Sequence, residues 1–81
     1  MPSGRQALGR VERQTRRRLA ANLKSARARL GLSQERTAER ADFSLQYYQR
    51  IERGIPNTPI DTLTRLARAL DVDVAELLRK P

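Results

Sequence analysis

The chain contains neither cysteine nor histidine. Disulfides, thiolate chemistry, a zinc finger and the commonest general base are therefore excluded together, and such a chain suits a reducing cytoplasm. No apolar run approaches the roughly 18 residues that a membrane-spanning helix needs, and the amino terminus lacks the continuous apolar stretch of a signal peptide. Paired carboxylates and a phosphate-cradling glycine-rich loop are also missing, so neither an enzyme nor a cofactor or metal is expected. Asp71 and Asp73 read as helix-boundary residues.

Positive charge is what the chain has in excess. Seventeen Lys and Arg stand against nine Asp and Glu, a formal net charge of +8, and fifteen of the basic residues are arginine. A polyanionic partner is the natural expectation. Nine of these cations, opposed by Glu12 alone, fall between Met1 and Arg29, and the remainder of the chain is neutral. A solvated basic tail would give the same composition, so charge alone leaves the partner open.

Eighty-one residues make one small domain, whose core is marginal unless its elements are regular and well capped or a partner chain adds surface. Met1 to about Gly9, with Pro, Ser and two Gly, reads as a disordered arm. From about Arg10 the pattern is helical, with Leu19, Leu23, Ala26 and Leu30 on one face up to Gly31. Residues 1–16 are thus expected as a basic arm, partly disordered or extending the first helix, and residues 17–81 as the folded domain.

Ser33 suits the N-cap of a second helix, Gln34 to Ala41, and Ser44 that of a third, Leu45 to Arg53, with Asp42 in a left-handed turn and Gly54 at the close. Pro56 and Pro59 interrupt the chain. Thr58, Pro59 and Asp61 read as a capping box opening a fourth helix with Leu63, Leu66, Ala67 and Leu70 on its buried stripe. Asp73 and Glu76 open a short fifth helix, about Val74 to Arg79, where Val72 can staple against Leu77. No strand pattern appears, so the fold class is all-α.

Two short helices joined by a tight turn have the spacing of a helix-turn-helix. The segment LGLSQERTAERADFSLQYYQRIERG followed by PIDTLTRLARALDVDVAELL resembles the Xre-like helix-turn-helix family of phage repressors, Cro proteins and bacterial regulators, from about Arg17 to Leu78. Gly31, Leu32, Ser33, Gln34, Ala38, Ser44, Ile51, Glu52 and Gly54 carry the likeness. It implies a five-helix, lambda-repressor-like domain that binds double-stranded DNA. Thr37 stands where that family usually has Leu, Asp42 where it has Gly, and Tyr48 where it has Ile or Leu. The small Thr37 making room for the large Tyr48, with their hydroxyls paired, would account for two of these departures.

On the third helix Leu45, Gln46, Gln49 and Arg50 lie opposite Tyr48 and Ile51, so one face packs while the other reads bases. Gln46 pairs well with adenine, Arg50 with guanine, and Leu45 with a thymine methyl. The resemblance implies that Gln34 holds a phosphate and braces the first polar side chain of the third helix, that Arg53 meets phosphates, and that Arg27 and Glu52 form an orienting ion pair. Tyr47 is read as a phosphate contact over a packed ring or as purely structural, and the basic arm as following phosphates, entering a minor groove or remaining solvated.

The expected function is sequence-specific transcriptional regulation from a cytoplasmic, nucleoid-associated protein. A homodimer is expected, with Val72, Leu77, Leu78 and the loop after the third helix at its interface, and no small-molecule effector is evident. Two alternatives stay open here. One is a protein-interaction module of antitoxin or bridging-coactivator type with secondary DNA binding, and the other is non-specific nucleic-acid binding driven by the arm.

Overall fold

The first four helices of this protein end in the same way. In a computed structural model describing residues 4–81, with side chains from Gly9 onward, the elements are α1 (Gly4–Arg29), α2 (Gln34–Ala41), α3 (Leu45–Glu52), α4 (Ile60–Ala69) and α5 (Val74–Leu78). No strand occurs among the described residues. After each of α1 to α4 a single residue turns left-handed, with φ of 65° at Gly31, 60° at Asp42, 74° at Gly54 and 56° at Asp71.

The next amide then folds back onto the helix: Leu32 N to Arg27 O at 3.0 Å, Phe43 N to Ala38 O at 2.8 Å, Ile55 N to Arg50 O at 3.1 Å and Val72 N to Ala67 O at 3.0 Å. This is the Schellman arrangement, and every closing residue is apolar, as its contact with the preceding turn favours. Two of the four left-handed positions hold aspartate, which tolerates that backbone better than most residues with a Cβ. At Gly54 the left-handed backbone is the constraint, since a Cβ there would meet the Arg16 carbonyl oxygen of α1 at an ordinary contact distance of 3.6 Å.

N-caps set the other ends. Ser33 Oγ accepts from Arg36 N at 2.9 Å, Ser44 Oγ from Tyr47 N at 3.1 Å, and the Asp73 carboxylate from Ala75 N at 2.9 Å. The expected capping box at α4 does not form. Pro59, extended at φ −61° and ψ 157°, takes the N-cap position without a side-chain bond. Thr58 is then one residue too far out, and its buried hydroxyl has no partner among the described residues.

The core unites Leu19, Leu23 and Ala26 of α1 with Ala38, Ala41, Tyr48, Ile51, Leu63, Leu66, Ala67, Leu70 and Leu77. Leu30, expected on the buried stripe, is 44% exposed, because α1 ends before it and Leu32 packs against the core instead. Leu77, expected at a dimer surface, is buried. Thr37 and Tyr48 are both fully buried, but their hydroxyls do not pair: Thr37 donates to O of the N-cap Ser33 at 2.9 Å, and Tyr48 donates to Glu52.

The amino-terminal segment also differs from the disordered arm expected up to Gly9. From Gly4 onward it continues α1, giving a helix of 26 residues, while Met1–Ser3 lie outside the described residues. At 1.5 Å per residue this helix is about 39 Å long, close to the 44 Å longest extent of the molecule. Its turns from Arg10 to Thr15 are exposed.

Candidate nucleic-acid interface

Glu52, at the end of α3, is buried to 2% exposure and is the hub that seats the helix. Arg27 reaches it from α1 through Nε to Oε2 at 2.7 Å and Nη2 to Oε1 at 3.3 Å, a two-point, charge-assisted contact that fixes direction as well as distance. Gln34 Nε2 donates to Glu52 Oε1 at 3.0 Å, and the Tyr48 hydroxyl donates to Oε2. Arg27 also donates from Nη1 to Leu32 O at 3.0 Å, tying the same guanidinium to the α1–α2 turn.

Burial alone would raise the Glu52 pKa, but the hydrogen bonds from Arg27, Tyr48 and Gln34 outweigh it and hold the carboxyl below its ordinary value. Burial pushes the Tyr48 phenol well above its ordinary value, and its bond to the Glu52 carboxylate acts in the same direction. The hydrogen bond to Glu52 likewise raises Arg27. At neutral pH the hub therefore holds one anion, one cation and one neutral phenol.

Outward from this hub lies a polar face. Gln49 Nε2 donates to Gln34 Oε1 at 3.1 Å, so a chain of contacts runs from the buried Glu52 through Gln34 to a half-buried residue of α3. Gln34 thus braces Gln49, not Gln46, the first polar side chain of the helix. Residues 46 and 49 differ by three positions, and the one on the Glu52 side of α3 is the one within reach.

Gln46 and Arg50 are exposed, and neither side chain is hydrogen-bonded among the described residues. Leu45 is half-buried beside Phe43, at the rim of a shallow hollow shared with α2. Arg53 is exposed at the end of α3, its Nε 3.5 Å from Gln49 O. Tyr47 packs its ring edge-on to Phe43 with 5.2 Å between centroids.

Two clamps have no counterpart in the sequence pattern. Arg65 of α4 donates from Nε to Ala41 O at 3.1 Å and from Nη2 to Asp42 O at 2.9 Å, while its guanidinium lies 4.4 Å from the Phe43 ring centroid. It satisfies carbonyls at the end of α2 and stacks on the turn that aims α3. Asn22 of α1 donates to Leu77 O at 2.9 Å and Arg79 O at 2.7 Å, anchoring α5. Neither contact has a local sequence signal, since the partners lie 24 and 23 or 55 and 57 residues away.

A helix-turn-helix family model matches residues 23–77. The chain is 40% identical over 63 residues to the uncharacterized HTH-type transcriptional regulator y4dJ of Sinorhizobium fredii, covering 78% of this chain and 82% of that protein. Among solved structures, the hypothetical transcription factor NHTF from Neisseria superposes with a TM-score of 0.82 at 31% identity, over 86% of this chain and 80% of that one. The restriction-modification controller protein C.AhdI from Aeromonas hydrophila gives a TM-score of 0.73 at 32% identity, over 76% and 94% of the two chains. Sequence, fold and motif thus agree: the chain belongs to the helix-turn-helix family of Xre and Cro type.

Proposed function

We propose that this protein is a sequence-specific DNA-binding transcriptional regulator that reads an operator by laying α3 in the major groove. The observation that carries this reading is the division of α3. Tyr48, Ile51 and Glu52 are buried and hold the helix, while Gln46 and Arg50 stand free on the opposite side. A helix seated in this way presents donors to base edges without reorganising its scaffold.

In this reading Leu45, Gln46, Gln49 and Arg50 read bases, and Gln34, Tyr47 and Arg53 hold phosphates. Arg27 and Glu52 set the angle of α3. The exposed amino end of α2, headed by Ser33 and Gln34, adds a favourable field for an anion. Activity would take place in the cytoplasm at the nucleoid, with no cofactor and no reaction catalysed.

A homodimer is part of the proposal, since one short helix contacts few base pairs and two-fold operators pair half-sites about one helical turn apart. Ile60 and Leu78 are 77% and 36% exposed, and Leu78 lines one groove with Asn57 and Thr58 of the loop after α3. These residues replace Leu77 as the proposed self-association surface. Ile60→Asp should shift the protein toward monomer in sedimentation and weaken operator binding, whereas an unchanged dimer would place the surface elsewhere.

The functional test is competition. A DNA site recovered from a random pool should stay bound under an excess of random duplex, and equal competition by the random duplex would leave only charge-driven binding.

A further inference from the structure

Arg10, Arg13, Arg17 and Lys24 fall within a sector of about 60° on α1 at 100° per residue, and the stripe is about 21 Å long. All four are exposed. The ion pairs among the described residues are Arg27–Glu52, Arg36–Glu39 and Arg65–Asp42, so none of the four cations has an acidic partner there.

The stripe is not on an arbitrary side of the helix. Arg17, Ala20, Ala21 and Lys24 form one wall of an open groove of about 760 Å³, and Glu52, Arg53 and Ile55 at the end of α3 form the other. Its single carboxylate, Glu52, is already committed to Arg27, Gln34 and Tyr48. Arg17, Lys24 and Arg53 therefore present unopposed charge along a channel that opens from the carboxyl end of α3.

We propose that the outer stripe of α1 is a phosphate track, with Arg13, Arg17 and Lys24 following the sugar-phosphate backbone that borders the groove occupied by α3. This rests on the DNA-reading role of α3. A helix lying in a major groove has a phosphate strand beyond each end, and the strand beyond Arg53 meets the channel. Because the arginines sit on a continuous helix, their spacing is set before binding, and the contact costs less ordering than a disordered arm would. The track adds affinity and footprint length but no base preference.

The test is the salt dependence of operator binding in the full chain. Arg13→Gln/Arg17→Gln/Lys24→Gln removes three exposed charges while keeping good helix formers. The charge-matched control Arg68→Gln/Arg79→Gln/Lys80→Gln removes three exposed charges outside the stripe. Up to about 0.9 unit of log–log slope is lost per phosphate contact. The stripe variant should thus lose up to about 2.7 units, shrinking the affinity drop between about 50 and 200 mM salt by up to about 40-fold.

The control should change the slope by less than about one unit, and both variants should keep the wild-type base preference. Equal slopes for stripe variant and wild type, or equal losses in stripe variant and control, would overturn the track while leaving base reading intact. Failure of the wild-type chain to prefer any site would overturn the base-reading role itself, a separate outcome.

Discussion

Gln49 on the reading face is hydrogen-bonded to Gln34 at 3.1 Å, and Gln34 in turn to the buried Glu52 at 3.0 Å. A half-buried side chain proposed to meet DNA is therefore positioned by the same carboxylate that anchors the helix. Truncating Gln34 should cut both links at once. Gln34→Ala is expected to lose about 2–3 kcal/mol of stability, one bond being to a neutral amide and the other to a carboxylate. It should also broaden base preference at the position Gln49 faces. Urea unfolding and site selection measure the two effects, and a variant that loses stability but keeps its preference would show that Gln49 needs no brace.

Glu52 makes stability depend on acid. Its folded pKa lies below the unfolded value, so its contribution is present above about pH 4.3 and is lost as pH falls through the folded value. Glu52→Gln should cost about 3 kcal/mol at pH 7, mostly by leaving Arg27 without its counter-charge. The gap between wild type and variant should narrow below pH 4. A gap that stays constant from pH 7 to pH 3 would contradict the charged hub.

Tyr48 gives the opposite arm. Burial, then Glu52, raises its pKa, so its contribution is full below about pH 10 and declines as pH rises toward the folded value. Tyr48→Phe should lose about 1.5 kcal/mol at neutral pH and lessen the alkaline loss of stability. Thr37→Leu, which forces extra volume into a fully buried position of α2, should lose about 1–3 kcal/mol. Increased stability of the Leu variant would mean that this position has room for the larger side chain.

Arg65→Ala should loosen the turn between α2 and α3, because it frees the carbonyls of Ala41 and Asp42 and uncovers Phe43. About 1–2 kcal/mol is expected for a partly exposed, charge-assisted contact. Lysine should restore little of it, since it lacks the planar fork. Amide exchange across Asp42 to Leu45 is the readout: faster exchange in Arg65→Ala and Arg65→Lys supports the clamp, and wild-type rates in both argue against it.

The helix ends of the central motif were readable because their signals are local. Ser33 caps α2 and Ser44 caps α3, and Gly31, Asp42 and Gly54 turn the chain where a left-handed residue is needed. The Arg27–Glu52 pair came from family likeness, not from spacing. What escaped was non-local or depended on a single residue's offset. Arg65 and Asn22 find partners more than twenty residues away, and Gln34 chose Gln49 over Gln46 through the rotation of α3. Pro59 displaced Thr58 from the cap by one position. The helical run from Gly4 was masked by its glycines, whose low propensity favoured the disordered reading.

The most direct measurement is parallel selection of sites from random DNA by the wild-type chain and by Arg50→Ala. The wild type should enrich a two-fold symmetric sequence with half-site centres about 34 Å apart. Arg50→Ala should recover the same sequence except at one position in each half-site, where preference for guanine falls by about 5- to 150-fold. Identical sequences from both proteins, or no enrichment by the wild type, would contradict base reading by the exposed face of α3.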